Sequence, residues 1–326
     1  MDAIKGLIYT GGSLIVVVAA LLYRYQGNLL YFPTMPVKNP DDNPIGLRNP
    51  AERQLPYDDV VVEAKDGAKL HGWLIKQKEN ADRLPTLIYF HGNAGNIGFR
   101  LVNAGEMYAL LGCNIFLVEY RGYGKSEGQP DEDAFVSDAG SVVRALTHPS
   151  HGIDSSRLVL FGRSLGGAVA LAAAEALSSE VQAVIVENTF LSISHMVDLV
   201  MPIFRHLKPW VLTLKWNNQE KVQRVTQPIM FISGSQDELI PPHHMMELHR
   251  LASSRHKVWY SVAEGTHNDT WLKGGEEYYR KVYDFLRGLN PTVLDNEFVS
   301  LSNCSPSDRE RLQSGGIPIM KHNKAE

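Results

Sequence analysis

Gly162-Arg163-Ser164-Leu165-Gly166-Gly167 reads G-x-S-x-G-G. It follows the apolar run Arg157-Leu158-Val159-Leu160-Phe161 and opens an alanine-rich run from Ala168 to Leu177. A strand, a glycine-flanked serine and a helix, in that order, make a nucleophile elbow. Such a turn forces the serine into a strained backbone conformation. Any side chain at Gly162 or Gly166 would collide with neighbouring backbone. The strain lifts the hydroxyl above the sheet edge, and the following helix aims its first N–H groups at the same point. The chemistry this prepares is attack of Ser164 on a carbonyl carbon.

A serine hydroxyl is a weak nucleophile until a base takes its proton, and the base needs an acid to orient it. For an elbow of this kind the chain order is serine, acid, histidine. Pro228-Ile229-Met230-Phe231-Ile232-Ser233 reads as a later strand, followed by Gly234-Ser235-Gln236-Asp237-Glu238. Asp237 is the candidate acid, because it comes first after the glycine turn and has the short reach needed. Glu238 is its rival. Lys257-Val258-Trp259-Tyr260-Ser261-Val262 reads as the last strand, and the loop Glu264-Gly265-Thr266-His267-Asn268 supplies the candidate base, His267. His243, His244 and His249 read as surface residues on a helix that starts after Pro241-Pro242. No Asp/Glu/His set has metal-ligand spacing, so no metal is expected.

Attack on a carbonyl builds negative charge on its oxygen, so N–H donors must be waiting there. One is the backbone N–H of Leu165, after the nucleophile. The other should come from the loop His91-Gly92-Asn93-Ala94-Gly95-Asn96, which follows the strand Thr86–Phe90. Asn93 is the candidate and Ala94 the fallback. His91 reads as a structural hydrogen-bonding residue.

Taken together, strand–HGNAGN–helix, EYRGYGKSEG, GRSLGGAVA, SGSQDELIP and EGTHND occur in this order. They resemble the α/β-hydrolase superfamily, and within it the membrane-anchored bud-emergence group. The resemblance spans roughly residues 25 to 290. It implies Ser164, Asp237 and His267 as catalytic residues, and it identifies Arg163 and the Arg121–Gly128 loop as the group's own. It names no substrate.

The elements that must position these residues alternate along the chain. Apolar runs at Thr86–Phe90, Asn114–Glu119, Leu158–Phe161, Ala183–Glu187, Pro228–Ser233 and Lys257–Val262 fit buried parallel strands. Helical stretches stand around Ile97–Leu111, Glu132–Thr147, Leu165–Leu177, His243–Ala252 and Glu276–Leu289. Val60–Ala64 and Leu70–Ile75, joined at Asp66-Gly67, read as an antiparallel hairpin. The expected fold is α/β: an α/β-hydrolase fold with a mostly parallel central sheet flanked by helices, a short lid insertion and an N-terminal transmembrane helix. Residues 57–289 make the hydrolase domain. The lid, at about 190–226, is rich in apolar residues such as Met196, Phe204, Trp210 and Trp216. The loop Arg121-Gly122-Tyr123-Gly124-Lys125-Ser126-Glu127-Gly128 misses the phosphate-loop pattern, because Glu119 stands where its first glycine belongs.

Gly6 to Tyr23 carries no charge and is bounded by Lys5 and Arg24. Its length is near the lower limit for a membrane span. A cleaved signal peptide is the rival reading, but no small-x-small site follows Ala19-Ala20. Residues 1–5 are then a short tail, 6–23 a signal anchor, 24–56 a proline-rich, extended connector and 290–326 a polar tail. The positive-inside count, Lys5 against Arg24 and Lys38, slightly favours a cytosolic domain. The resemblance implies the reverse: a single-pass type II protein with its domain lumenal or extracellular. Asn268 and Asn303 head glycosylation sequons. Cys113 and Cys304 stand in contexts that suggest no disulfide.

The charge of −4 leaves no nucleic-acid footprint, and 44% hydrophobic residues give ample core. The expected activity is a serine hydrolase working on an ester or thioester, of acyl or lipid type, without a cofactor. Protein-acyl thioesterase and serine peptidase are the alternatives. An epoxide hydrolase would place Asp at position 164. A non-catalytic scaffold is a further alternative, though such proteins lose triad residues and this chain has all three. The expected partners are the acyl substrate and the membrane.

Overall fold

A computed structural model describes residues 2–294, 298 and 300, with the side chains of residues 2–12 and 15 left out. The chain opens with α1 (Asp2–Leu30). A hairpin of β1 (Tyr57–Glu63) and β2 (Lys69–Ile75) leads into the alternating part. That part runs β3 (Thr86–Phe90), α2 (Leu101–Leu111), β4 (Asn114–Val118), α3 (Glu132–Leu146), β5 (Leu158–Arg163), α4 (Leu165–Ala176) and β6 (Ala183–Glu187). Three short helices follow: α5 (Ile193–Val200), α6 (Lys208–Val211) and α7 (Asn218–Lys221). The chain closes its fold with β7 (Ile229–Gly234), α8 (His243–Leu251), β8 (Lys257–Val262) and α9 (Thr270–Leu289).

Among the described residues the strands form one eight-stranded sheet in the order β1-β2-β4-β3-β5-β6-β7-β8. β1 and β2 pair antiparallel, and β2 pairs antiparallel with β4. All other pairs are parallel. Side chains alternate across a strand, so each apolar run feeds two cores. Ile88, Phe90, Leu158 and Leu160 face the core beneath α3 and α4. Leu87, Tyr89, Val159 and Phe161 face the core beneath α2 and α9. Each such side chain stabilises the fold by about 1.5–3 kcal/mol when fully buried. Parallel strands end at one edge, so the loops after β3, β5, β6, β7 and β8 gather there.

The central strands stand where the apolar runs predict, with ends moved by one or two residues. Three expectations need correction. Residues 24–30 continue α1 rather than beginning a connector. The connector is not extended throughout either. Pro40 and Pro50 each open a short 3-10 helix, whose first turn has no use for the missing N–H and is capped by the Asn39 or Asn49 side chain. α9 starts at Thr270 rather than Glu276, because Gly275 takes φ 51° and joins two helical stretches across a kink.

The expected membrane span falls inside α1. Among the described residues no helix is long and apolar enough to cross a membrane. Of the Gly6–Tyr23 run, the side chains of residues 6–12 and Ile15 lie outside the described residues, as do Asn303, Cys304 and most of the C-terminal tail. Cys113 is buried with a free thiol.

Candidate active site

Ser164 sits between β5 and α4 with φ 55° and ψ −120°. An L residue enters that region only under constraint. The constraint is visible in its flanking glycines. A Cβ on Gly162 would lie 2.2 Å from the Gly166 carbonyl oxygen, and one on Gly166 would lie 2.0 Å from the Phe90 oxygen. The Ser164 N–H donates to the Glu187 carbonyl at 2.9 Å, which ties the turn to the end of β6.

Above this turn the structure brings together the three residues expected from sequence. The Ser164 hydroxyl and His267 Nε2 are 3.0 Å apart. His267 Nδ1 lies 2.8 Å from Asp237 Oδ2. All three residues are buried. Asp237 uses both of its carboxyl oxygens. Its Oδ1 accepts the N–H groups of Leu239 at 3.0 Å and Ile240 at 2.7 Å, leaving Oδ2 to receive Nδ1–H of His267. That assigns the free lone pair of His267 to Nε2, facing the serine proton. Glu238 does not compete for the ring; its Oε2 accepts the His267 backbone N–H at 3.2 Å.

The loops holding Asp237 and His267 meet because both have glycine at the contact. A Cβ on Gly234 would lie 2.5 Å from the Gly265 oxygen. Asn188, at the end of β6 with φ 45°, locks the same junction. Its Nδ2 donates to the Thr266 and His267 carbonyls and to the Thr270 hydroxyl, and its Oδ1 accepts the Gly234 N–H at 2.8 Å. Sequence reading missed Asn188. Its position directly after a strand, at the edge where Ser164 and Asp237 also stand, is the one signal that could have found it.

Asn93 and Leu165 border the same cavity as Ser164. The Leu165 N–H is among the first four of α4 and has no partner within the helix. The loop before Asn93 passes close to Ser164, since a Cβ on Gly92 would stand 3.8 Å from the Ser164 Cβ. Asn93 is held on both sides: its carbonyl accepts the Tyr123 hydroxyl at 2.8 Å and the Phe32 N–H at 3.0 Å. Tyr123 thus gives the Arg121–Gly128 loop a place under the site. Arg121 itself forks between Asp138 and Asp66.

A buried ionic layer lies beneath the turn. Arg163 Nε is 2.7 Å from Glu187 Oε1, and the Tyr278 hydroxyl donates to Glu187 as well. Burial works against the Arg163 charge, but the Glu187 carboxylate outweighs it, so the guanidinium pKa is raised. His91 is buried, donates from Nδ1 to the Gly92 carbonyl at 2.7 Å, and lies 3.3 Å from Glu119 through Nε2. Burial holds its pKa below the ordinary value.

Of the other histidines, His243 is exposed and His249 half-buried between Phe231 and Trp259. His244 departs from expectation: it is buried, because α8 packs Met245 and Leu248 on the sheet and carries His244 in with them. Its Nδ1 accepts the Leu191 N–H at 3.1 Å. Among the described residues no group of three or more His, Cys, Asp or Glu is placed to hold a metal ion. Asn268 is exposed, while the Thr270 hydroxyl of its sequon is buried and bonded to the Thr266 carbonyl.

Ser164 opens into a cavity of about 490 Å³. Apart from Ser164, Asn93, Gln26 and Lys208, its walls are apolar. They come from the segment between β6 and β7, from Leu239 and Ile240 beside Asp237, and from the C-terminal half of α1.

Residues 85–214 match the family model described as the alpha/beta hydrolase fold. Protein bem46 of Schizosaccharomyces pombe is 36% identical, over 86% of this chain and 93% of its own. The uncharacterized membrane protein YNL320W of Saccharomyces cerevisiae is 35% identical, over 86% of this chain and 95% of its own. Among solved structures, the Pyrococcus furiosus esterase Pf2001 superposes with a TM-score of 0.62 at 20% identity, covering 74% of this chain and 94% of that one. Sequence kinship, sheet order and the turn around Ser164 agree: the chain belongs to the α/β-hydrolase fold family, in the group that includes bem46.

Proposed function

We propose that the protein is a membrane-associated serine hydrolase that cleaves carboxylic esters or thioesters. One observation carries this reading: a continuous hydrogen-bonded line, Asp237–His267–Ser164, ends on a hydroxyl that faces an apolar cavity. In this reading the Ser164 oxygen attacks the carbonyl carbon as His267 Nε2 takes its proton. The Asn93 and Leu165 N–H groups hold the oxygen that becomes negative. The C–O or C–S bond then breaks, and His267 returns the proton to the leaving alcohol or thiol. Water, deprotonated by His267, releases the acid and restores Ser164. Asp237 keeps His267 in the required tautomer and stabilises the imidazolium, as in other triads of this kind.

An apolar cavity suits an acyl chain better than a peptide, whose backbone polar groups would lose hydrogen bonds there. Membrane association rests on α1, whose residues Leu14, Val16, Val17 and Leu21 are exposed, and on Ile203 and Trp210, both at least 80% exposed, on the segment between β6 and β7. Tryptophan favours the membrane–water boundary. The relative named as a membrane protein agrees with this. We read the 6–23 stretch as a single-pass anchor in type II orientation, 57–289 as the hydrolase domain and about 190–226 as a lid. The test is hydrolysis of 4-nitrophenyl esters by the full chain in detergent. Turnover that falls to background in a folded Ser164→Ala variant supports the reading, and turnover unchanged by that substitution refutes it.

A further inference from the structure

Building on the proposed hydrolase activity, we propose that α1 is part of the substrate site, not only a tether. Its C-terminal half forms one wall of the cavity at Ser164 and sets the length of hydrocarbon chain accepted there.

Leu22, Gln26, Leu29 and Leu30 border that cavity together with Ser164. Leu22, Gln26 and Leu29 are spaced by four and three residues, so they lie along one helix face. Leu22 and Leu29 are about 10 Å apart along the axis at the usual helical rise. Val197, Val200 and Phe204 of the inserted segment add an apolar wall to the same cavity. A straight hydrocarbon chain fits between two apolar walls of this kind. A polar or branched sugar-like group would leave its hydrogen-bonding groups unmatched.

A ruler must be fixed relative to the reacting atom, and α1 is. Gln26 Oε1 accepts the N–H groups of Thr213 at 2.8 Å and Leu214 at 3.0 Å, while its Nε2 donates to the Val211 carbonyl at 3.1 Å. One side chain thereby holds the whole stretch after α6. The Trp216 indole N–H donates to the Tyr31 hydroxyl at 2.9 Å. On the catalytic side, Asn93 Nδ2 donates to the Leu30 carbonyl at 3.0 Å, and Phe32 forms a parallel bridge with Ala94. A helix serving only as an anchor needs none of these bonds. Here its end is bonded both to the loop beside Ser164 and to Val211 and Leu214, which line the same cavity. The same helix exposes apolar residues on its outer side, so a chain lying along it passes from an exposed apolar surface to Ser164 beside one continuous element.

The test compares kcat/KM for 4-nitrophenyl butyrate, octanoate, laurate and palmitate, using the full chain in detergent. The native chain should prefer a long ester. Leu22→Trp, which fills the far part of the cavity, should lower the laurate-to-butyrate ratio at least tenfold. Leu22→Ala should move the optimum to a longer chain. Val17→Trp, on the exposed side of α1, should leave the ratio where it was. A small alkyl fluorophosphonate, which needs only an activated serine, is applied to every variant. If Ser164 is labelled but neither Leu22 variant moves the chain-length profile, the inference about α1 is wrong and the hydrolase reading stands. If the folded native chain neither labels nor turns over any ester, both are wrong.

Discussion

The side chain of Asn93 donates to the carbonyl of Leu30, the last residue of α1, at 3.0 Å. The Asn93 carbonyl in turn receives the Phe32 N–H at the same distance. The loop assigned to stabilise the oxyanion is therefore built on the end of the N-terminal helix. Residues 57–289 contain the sheet and the Asp237–His267–Ser164 line, yet Asn93, one of the two proposed oxyanion donors, takes its position from outside them.

Asn93→Ala removes the bond to Leu30 while keeping the Asn93 backbone N–H. A donor displaced by a fraction of an ångström costs transition-state stabilisation rather than substrate binding. We expect kcat to fall by about tenfold to a hundredfold with KM nearly unchanged. Steady-state kinetics on the full chain check this. A rise in KM with kcat intact would mean that Asn93 contacts substrate by its side chain instead.

Asp237 and Glu238 are neighbours in sequence but not in role. Asp237→Asn keeps the shape and inverts the tautomer preference of His267, so kcat should drop by about 10⁴. Glu238→Gln loses a charge that faces only a backbone N–H and should change kcat by no more than about threefold. Equal losses in the two variants, measured on one ester under saturating conditions, would contradict the assigned acid.

His244 gives stability a pH dependence. Burial, with His243 and His195 nearby, lowers its pKa from 6.5 to about 4. Between those values the unfolded chain binds the proton and the folded chain does not, so stability falls as acid is added. The contribution is complete above pH 6.5, declines as pH drops toward 4 and levels off below that. Protonation also removes the acceptor that Nδ1 offers to the Leu191 N–H. His244→Gln keeps an acceptor without titrating, and its thermal midpoint should fall less steeply between pH 6.5 and 4 than that of the native chain. Parallel curves for the two proteins would remove His244 from the acid response.

What could be read before the structure was local. Ser164 announces itself because strand, glycine turn and helix are contiguous. Asp237 and His267 each follow a strand whose apolar run is unmistakable. Residues acting across the chain were silent. The Asn188 side chain binds partners 46 to 82 positions away, and nothing beside it in sequence says so. The run from Leu14 to Leu22 shows no amphipathic spacing, and only packing against residues 190–214 picks out the face of α1 that lines the cavity, polar Gln26 included. His244 looked like a surface residue after two prolines, because the burial of its helix face is decided by the sheet below. Trp216, counted among the apolar residues of the insertion, is fully buried, with its indole N–H on Tyr31.

The most direct test of the central claim is the site and chemistry of covalent capture. The full chain in detergent is treated with a fluorophosphonate, digested and mapped by mass spectrometry, beside folded Ser164→Ala and His267→Ala variants. The account predicts a single stoichiometric phosphonyl adduct on Ser164 in the native chain, none in Ser164→Ala, and labelling slowed by several orders of magnitude in His267→Ala. Capture elsewhere, or a Ser164 that stays unmodified in the folded native chain, would contradict it.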